Sequence, residues 1–141
     1  MAESRARTLD HVGLNVADLD AAERWYIDAF GYIRDLAVRL EAFELDIVML
    51  VHPEGGDRLE LLHRPGSAPG LRADTPPAAV LTEGFGHIAF DVEDVDGHFD
   101  RLVSLGARAV MSPRPSPEPG VRMAFVADPE GNLLELLDRR R

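Results

Sequence analysis

The 141-residue chain contains no cysteine, which excludes disulfide bonds, thiolate metal ligands and thiol nucleophiles. It also has fewer basic than acidic residues, 15 against 25, which gives a net charge of −10. Nucleic acids and anionic membranes bind basic surfaces, so neither is expected as a partner. No apolar run reaches the ~20 residues that span a bilayer, and the polar segment Met1–Asp10 lacks the apolar core of a signal peptide. We therefore expect a cytoplasmic protein that acts on a small molecule.

The chain does contain an internal repeat. The segment His11–Asp20 resembles His87–Asp96, and further on Leu59–Arg64 resembles Leu134–Arg139 at nearly the same offset. Each copy therefore has a histidine near its start and a glutamate near its end. Two motifs that recur in the same order and at the same spacing indicate a duplicated module.

Hydrophobic periodicity predicts the same order of elements in both copies. The residues after His11 and after His87 alternate between apolar and small or polar side chains, which is typical of a strand with one covered face. An apolar stripe with helical spacing follows in each copy, after Asp18 or Asp20 in the first and Asp94 or Asp96 in the second as candidate caps. Three strands complete each copy, at about 33–39, 44–51 and 58–62, and then at about 107–111, 122–127 and 133–137.

Each copy is thus predicted to be a βαβββ module of a single domain that spans residues 1–141. The first module covers residues 9–62 and the second covers residues 85–138. The Pro- and Gly-rich segment 63–84 is predicted to link them, and the proline-rich segment Ser112–Gly120 is predicted to be a loop.

Four polar residues stand out because they recur in the two copies. Glu60 and Glu135 lie among leucines, where a carboxylate is costly to bury without a cation, although a glutamate on an edge strand that faces water is the alternative. His11 and His87 are candidate ligands whose alternative role is that of a core histidine with satisfied nitrogens. If the two copies are related by an approximate two-fold axis, these four residues meet. Such a nitrogen and oxygen cluster suits Ni, Co, Zn, Mn or Fe(II).

The repeat also carries a family resemblance. The two histidines, the Gly86–Phe90 block and the Asp128–Leu136 block resemble the vicinal oxygen chelate superfamily. This superfamily includes glyoxalase I, methylmalonyl-CoA epimerase, type I extradiol dioxygenases, fosfomycin-resistance enzymes and bleomycin-binding proteins. The resemblance implies an α+β fold in which two βαβββ modules form a cup-shaped, partly open mixed β-barrel with the helices outside. It also implies a divalent metal ion bound by His11, Glu60, His87 and Glu135, and a homodimer in which the site lies within one chain or across two.

The resemblance implies a lyase or isomerase of the glyoxalase I or epimerase type, which moves a proton next to a carbonyl through a metal-stabilised enediolate. Candidate catalytic bases are Glu135, Glu60 and Glu44, and for Glu44 a solvated glutamate is the alternative. Arg122 is the candidate for binding an anionic part of the substrate, with an outward-facing arginine as the alternative. Two other functions remain open at this point. One is an Fe(II) extradiol-type dioxygenase, and the other is a non-catalytic protein that binds a small molecule or confers antibiotic resistance.

Overall fold

The computed structural model describes residues 7–139, so the beginning of the polar segment Met1–Asp10 and the last two residues lie outside the described part. The chain forms two compact units, residues 1–67 and 68–141, and the boundary falls inside the predicted linker 63–84. Between residues 7 and 139 no helix has both the length and the apolar character needed to cross a membrane.

The first unit contains one four-stranded mixed sheet with the strand order β1-β4-β3-β2. The first and fourth strands are parallel, and the other neighbours are antiparallel. The only α-helix described in this unit packs on β3 and β4. Its elements are β1 (His11–Asn15), α1 (Leu19–Phe30), β2 (Ile33–Leu40), a 3-10 turn (Glu41–Phe43), β3 (Leu45–Val51) and β4 (Arg58–His63).

The second unit repeats this arrangement, with the strand order β5-β8-β7-β6 and a parallel pair of β5 with β8. The α+β class and the two βαβββ modules are therefore confirmed. The elements are α2 (Pro76–Ala79), β5 (His87–Asp91), α3 (Val95–Ser104), β6 (Arg108–Pro115), β7 (Arg122–Ala127) and β8 (Leu133–Asp138).

The helix boundaries follow from local chemistry. The Asp18 carboxylate accepts a hydrogen bond from the Ala21 backbone N–H at 3.0 Å, and Asp94 does the same for Gly97 in α3, so the earlier of the two predicted caps is used in each module. Helix α1 ends at Gly31, whose φ of 75° lies in the left-handed region that glycine adopts without strain.

Two stretches differ from the prediction. The loop predicted at Ser112–Gly120 is wrong in its first four residues, because β6 continues to Pro115. This strand is an edge strand with irregular pairing to β7, and proline is tolerated there because no ladder hydrogen bond is required of it. In the predicted linker, Thr75 caps the short helix α2 by accepting a hydrogen bond from Ala78.

Each sheet has one face under a helix and one face that carries a histidine and a glutamate. In β4, Leu59 and Leu61 are buried on the helix side, and Glu60 points to the opposite side because side chains alternate along a strand. In β8, Leu134 and Leu136 are buried in the same way on either side of Glu135. We call the side of each sheet that bears the glutamate its His/Glu face.

Candidate functional site

The first histidine and glutamate are brought together by the parallel pairing of β1 with β4. Gly13 lies opposite Glu60 in this pairing, and His11 lies two residues earlier in β1, on the same face. The His11 Nε2 atom is 3.7 Å from the Glu60 Oε1 atom. A Cβ atom at Gly13 would come within 3.5 Å of that same oxygen, so the glycine leaves space beside the carboxylate. The two side chains are 35% and 22% exposed, which leaves both accessible to a small ligand.

The second module repeats the arrangement with β5 and β8. Ala89 lies opposite Glu135, and the His87 Nε2 atom is 3.1 Å from the Glu135 Oε2 atom. The His87 ring meets the Phe125 ring edge to face, with the centroids 5.2 Å apart. The Glu135 side chain is 17% exposed, so it is shielded but can still be reached from solvent.

The first pair has an additional carboxylate that the sequence analysis missed. The Asp10 Oδ2 atom lies 2.6 Å from the His11 Nδ1 atom. This hydrogen bond raises the pKa of His11 and lowers the pKa of Asp10 from their ordinary values. It also favours a proton on Nδ1. The other ring nitrogen, Nε2, is the one that faces Glu60. An aspartate directly before the first-strand histidine is the sequence signal for this contact, and the second module has Gly86 at that position.

The donor atoms of both pairs suit a divalent cation. Each module turns one imidazole nitrogen and one carboxylate oxygen toward each other, and neutral imidazole with carboxylate is a common ligand set for Zn, Ni, Co, Mn and Fe(II). Over residues 7–139 no three or more His, Asp or Glu side chains are placed so that they could hold a metal ion together. The structure thus brings the four predicted ligands together as two pairs, and their convergence on one ion stays a prediction.

The other two predicted site residues lie away from these pairs. Arg122 points to the helix face of β7, where its guanidinium donates two hydrogen bonds, of 2.6 and 2.8 Å, to Asp96 of α3. This placement favours the outward-facing alternative. Glu44 is not on a strand, because β3 begins at Leu45, and it occupies the left-handed region with φ 49°. Leu45 and Met49, the neighbour of Glu60, are four residues apart on β3. That separation is about 13 Å along a strand, and Glu44 precedes Leu45.

Three further histidines lie outside the two pairs. His52 is in the loop after β3, where its Nδ1 atom accepts a hydrogen bond from Gly55, and the His63 Nδ1 atom lies 2.9 Å from the Val16 carbonyl oxygen. His98 is half-buried in α3, and in the described part of the chain its buried Nδ1 atom has no hydrogen-bond partner. None of the three adds a ligand to either pair.

Comparison with known families agrees with this fold. The profile of the Glyoxalase/Bleomycin resistance protein/Dioxygenase superfamily matches residues 8–136, nearly the whole chain. The protein therefore belongs to this superfamily, as the motifs around His87 and Glu135 indicated.

Individual relatives point in the same direction. The chain is 31% identical over 129 residues to a probable lactoylglutathione lyase of Synechocystis sp., with 90% of this chain and 92% of that protein covered. A lactoylglutathione lyase of Arabidopsis thaliana is 26% identical over 131 residues, which cover 92% of this chain and 43% of that protein. Among solved structures, a glyoxalase family protein from Bacillus cereus is 26% identical and superposes with a TM-score of 0.78, with 98% and 97% of the two chains covered.

Proposed function

We propose that this protein is a divalent-metal-dependent lyase or isomerase of the glyoxalase type, which moves a proton next to a carbonyl group. The observation that carries the proposal is the pairing of a histidine Nε2 atom with a glutamate oxygen in both modules, at 3.7 and 3.1 Å. The relatives in Synechocystis and Arabidopsis are named a probable lactoylglutathione lyase and a lactoylglutathione lyase, and these names support this reaction class.

In this proposal His11, Glu60, His87 and Glu135 all bind one ion. Such an ion, when bound, supplies Lewis acidity to a substrate that presents two adjacent oxygens. The chain contributes the proton carriers: Glu60 and Glu135 are shielded but accessible carboxylates, and either of them can act as the base that takes up the proton and returns it. The small residues opposite them, Gly13 and Ala89, leave room for a substrate.

The proposal is tested by metal analysis and solvent exchange. We expect about one divalent ion per chain in the native protein and deuterium uptake from D₂O at the carbon next to the carbonyl of a converted substrate. His87→Ala and Glu135→Gln should lose both the ion and the exchange. Glu54→Gln, which removes the same charge from an exposed loop position, should retain both.

Other results would replace the proposal. Bound iron together with catechol-dependent oxygen uptake would establish the dioxygenase instead. Small-molecule binding that persists without metal and in both site variants would establish a binding or resistance protein. The proposal also includes a homodimer in the cytoplasm, which light scattering and cell fractionation test.

A further inference from the structure

The His/Glu face of the first sheet becomes apolar immediately beside Glu60. The strand register places Met49 next to Glu60 and Leu36 next to Met49, so these three side chains form one row across the sheet. The next row along the strands consists of Asn15, Leu62, Ile47 and Val38. We call the five hydrophobic side chains of these rows the aliphatic floor: Leu36, Val38, Ile47, Met49 and Leu62.

Part of this floor is open to solvent although it belongs to a sheet with a buried opposite face. Leu36 is 45% exposed and Val38 is 42% exposed, whereas Val48 and Leu50, which point toward α1, are 4% and 0% exposed. An open apolar surface that adjoins a polar pair is the usual composition of a small-molecule site, in which apolar walls surround a few placed polar groups.

The same face offers little to a highly anionic ligand. All 15 basic residues of the chain are arginines, and Arg58 is the one that the strands of the first module place on this face. Its guanidinium already forms an ion pair with Asp35. The two arginines of β2 lie on the helix face, where Arg34 binds Glu23 and Arg39 binds Asp46.

The second module shows a similar pattern with two arginines at its edge. Phe125 and then Met111 follow Glu135 across the sheet. Arg108 and Arg114 lie on β6, two strands from β8, and each donates a hydrogen bond to a backbone carbonyl. Two strand spacings separate β6 from β8, or about 10 Å.

We infer that the ligand of this site is a small compound with two vicinal oxygens and an apolar aliphatic or aromatic substituent that lies on the aliphatic floor, rather than a conjugate of a charged peptide thiol. The inference rests on the proposed function in that His11 and Glu60 are taken to mark the substrate site. The conversion itself is an isomerisation in which the abstracted proton is returned, so it requires no further reactant.

The contribution of the apolar contact is measured by calorimetry, as the difference in affinity of the metal-loaded protein for two ligands. Mandelate and lactate carry the same two vicinal oxygens and differ only in a phenyl or a methyl group. We expect mandelate to bind at least about tenfold more tightly, the size of effect that one apolar group produces in a fitted pocket. S-methylglutathione should bind more weakly than mandelate.

A pair of variants tests whether the floor is responsible. Leu36→Asp should abolish the preference for mandelate over lactate. Ala37→Asp puts the same charge at the next, exposed position of β2, on the opposite face, and should keep the preference. Metal content and the fluorescence of Trp25 show whether each variant is loaded and folded.

The outcomes separate this inference from the proposed function. Equal affinity for mandelate and lactate, stronger binding of S-methylglutathione, or an unchanged preference in Leu36→Asp overturns the inference even if solvent exchange is observed. A mandelate preference that depends on Leu36, in a protein that catalyses no exchange, overturns the proposed reaction and upholds the ligand class.

Discussion

Removing one buried hydroxyl should destabilise the first module by a predictable amount. Tyr32 is 3% exposed, and its hydroxyl donates a 2.6 Å hydrogen bond to the Asp57 carboxylate at the start of β4. A hydrogen bond to a charged group contributes roughly 1.5–3 kcal/mol net. Asp57 is exposed and regains water when its partner is lost, so the lower end applies. We expect Tyr32→Phe to lower the free energy of unfolding by about 1.5 kcal/mol at pH 7.

This difference should disappear in alkali. Burial and the hydrogen bond to Asp57 raise the pKa of Tyr32 above its ordinary value of 10.0. A tyrosine whose pKa is raised in the folded state contributes stability that is fully present below pH 10 and is lost as pH rises beyond it, because the unfolded chain ionises first. The loss is about 1.4 kcal/mol per pH unit. Near pH 11 this loss should therefore cancel the difference in free energy of unfolding between the wild type and Tyr32→Phe.

The composition of the chain excludes other titrating side chains from this pH range. It contains neither lysine nor cysteine, so between about pH 9.5 and 11 the tyrosines are the side chains that titrate. The second tyrosine, Tyr26, is present in both proteins. Urea unfolding followed by the fluorescence of the single tryptophan, Trp25 of the same module, gives the free energy at each pH. A difference that stays constant from pH 7 to pH 11 would refute the argument.

Two other substitutions test the fold and the site. Leu61→Ala should lower the free energy of unfolding by about 3 kcal/mol, because it opens a cavity at a fully buried position under α1. A urea midpoint unchanged from the wild type would contradict this packing. Asp10→Asn should weaken metal binding at His11 by about tenfold, because a carboxylate hydrogen-bonded to the other ring nitrogen orients the imidazole. A chelator competition titration measures the change, and an unaffected affinity would show that Asp10 has no such role.

The face on which each glutamate lies could be predicted from alternation alone. A strand reverses its side-chain direction at every residue, so the leucines on either side of Glu60 and Glu135 require the glutamates to face away from the helices. The sequence did not predict that the histidine strand and the glutamate strand of each module are neighbours, because strand order depends on tertiary placement. The structure adds the parallel register of β1 with β4, in which Gly13 lies opposite Glu60 and His11 lies two residues before Gly13.

The partners of charged side chains could not be read in the same way. The sequence of β7 is compatible with Arg122 on either face of the sheet. Only the position of α3 brings Asp96 to its guanidinium. The proline-rich end of β6 carries no periodic signal, because an edge strand with irregular pairing does not require regular alternation. Contacts of this kind depend on tertiary placement rather than on local pattern.

The two modules differ in the ion pairs that connect their helices to their sheets. In the first, Arg34 of β2 donates two hydrogen bonds of 2.6 Å to the Glu23 carboxylate of α1. Phe99 stands at the position of Glu23 in the second module, and Asp96 instead holds Arg122 of β7. Equivalent backbones are therefore stabilised by ion pairs at non-equivalent positions.

The four candidate ligands behave differently from these ion pairs. The capping aspartates and the buried leucines are the same in both modules because helix starts and sheet cores require them. His11 and His87, with Glu60 and Glu135, are also the same, although they lie on the faces that the helices leave uncovered. Neither capping nor packing accounts for a carboxylate beside an imidazole at these positions. The shared ligand that we propose accounts for all four, and under this proposal the repeated histidines and glutamates belong to the site rather than to the requirements of the fold.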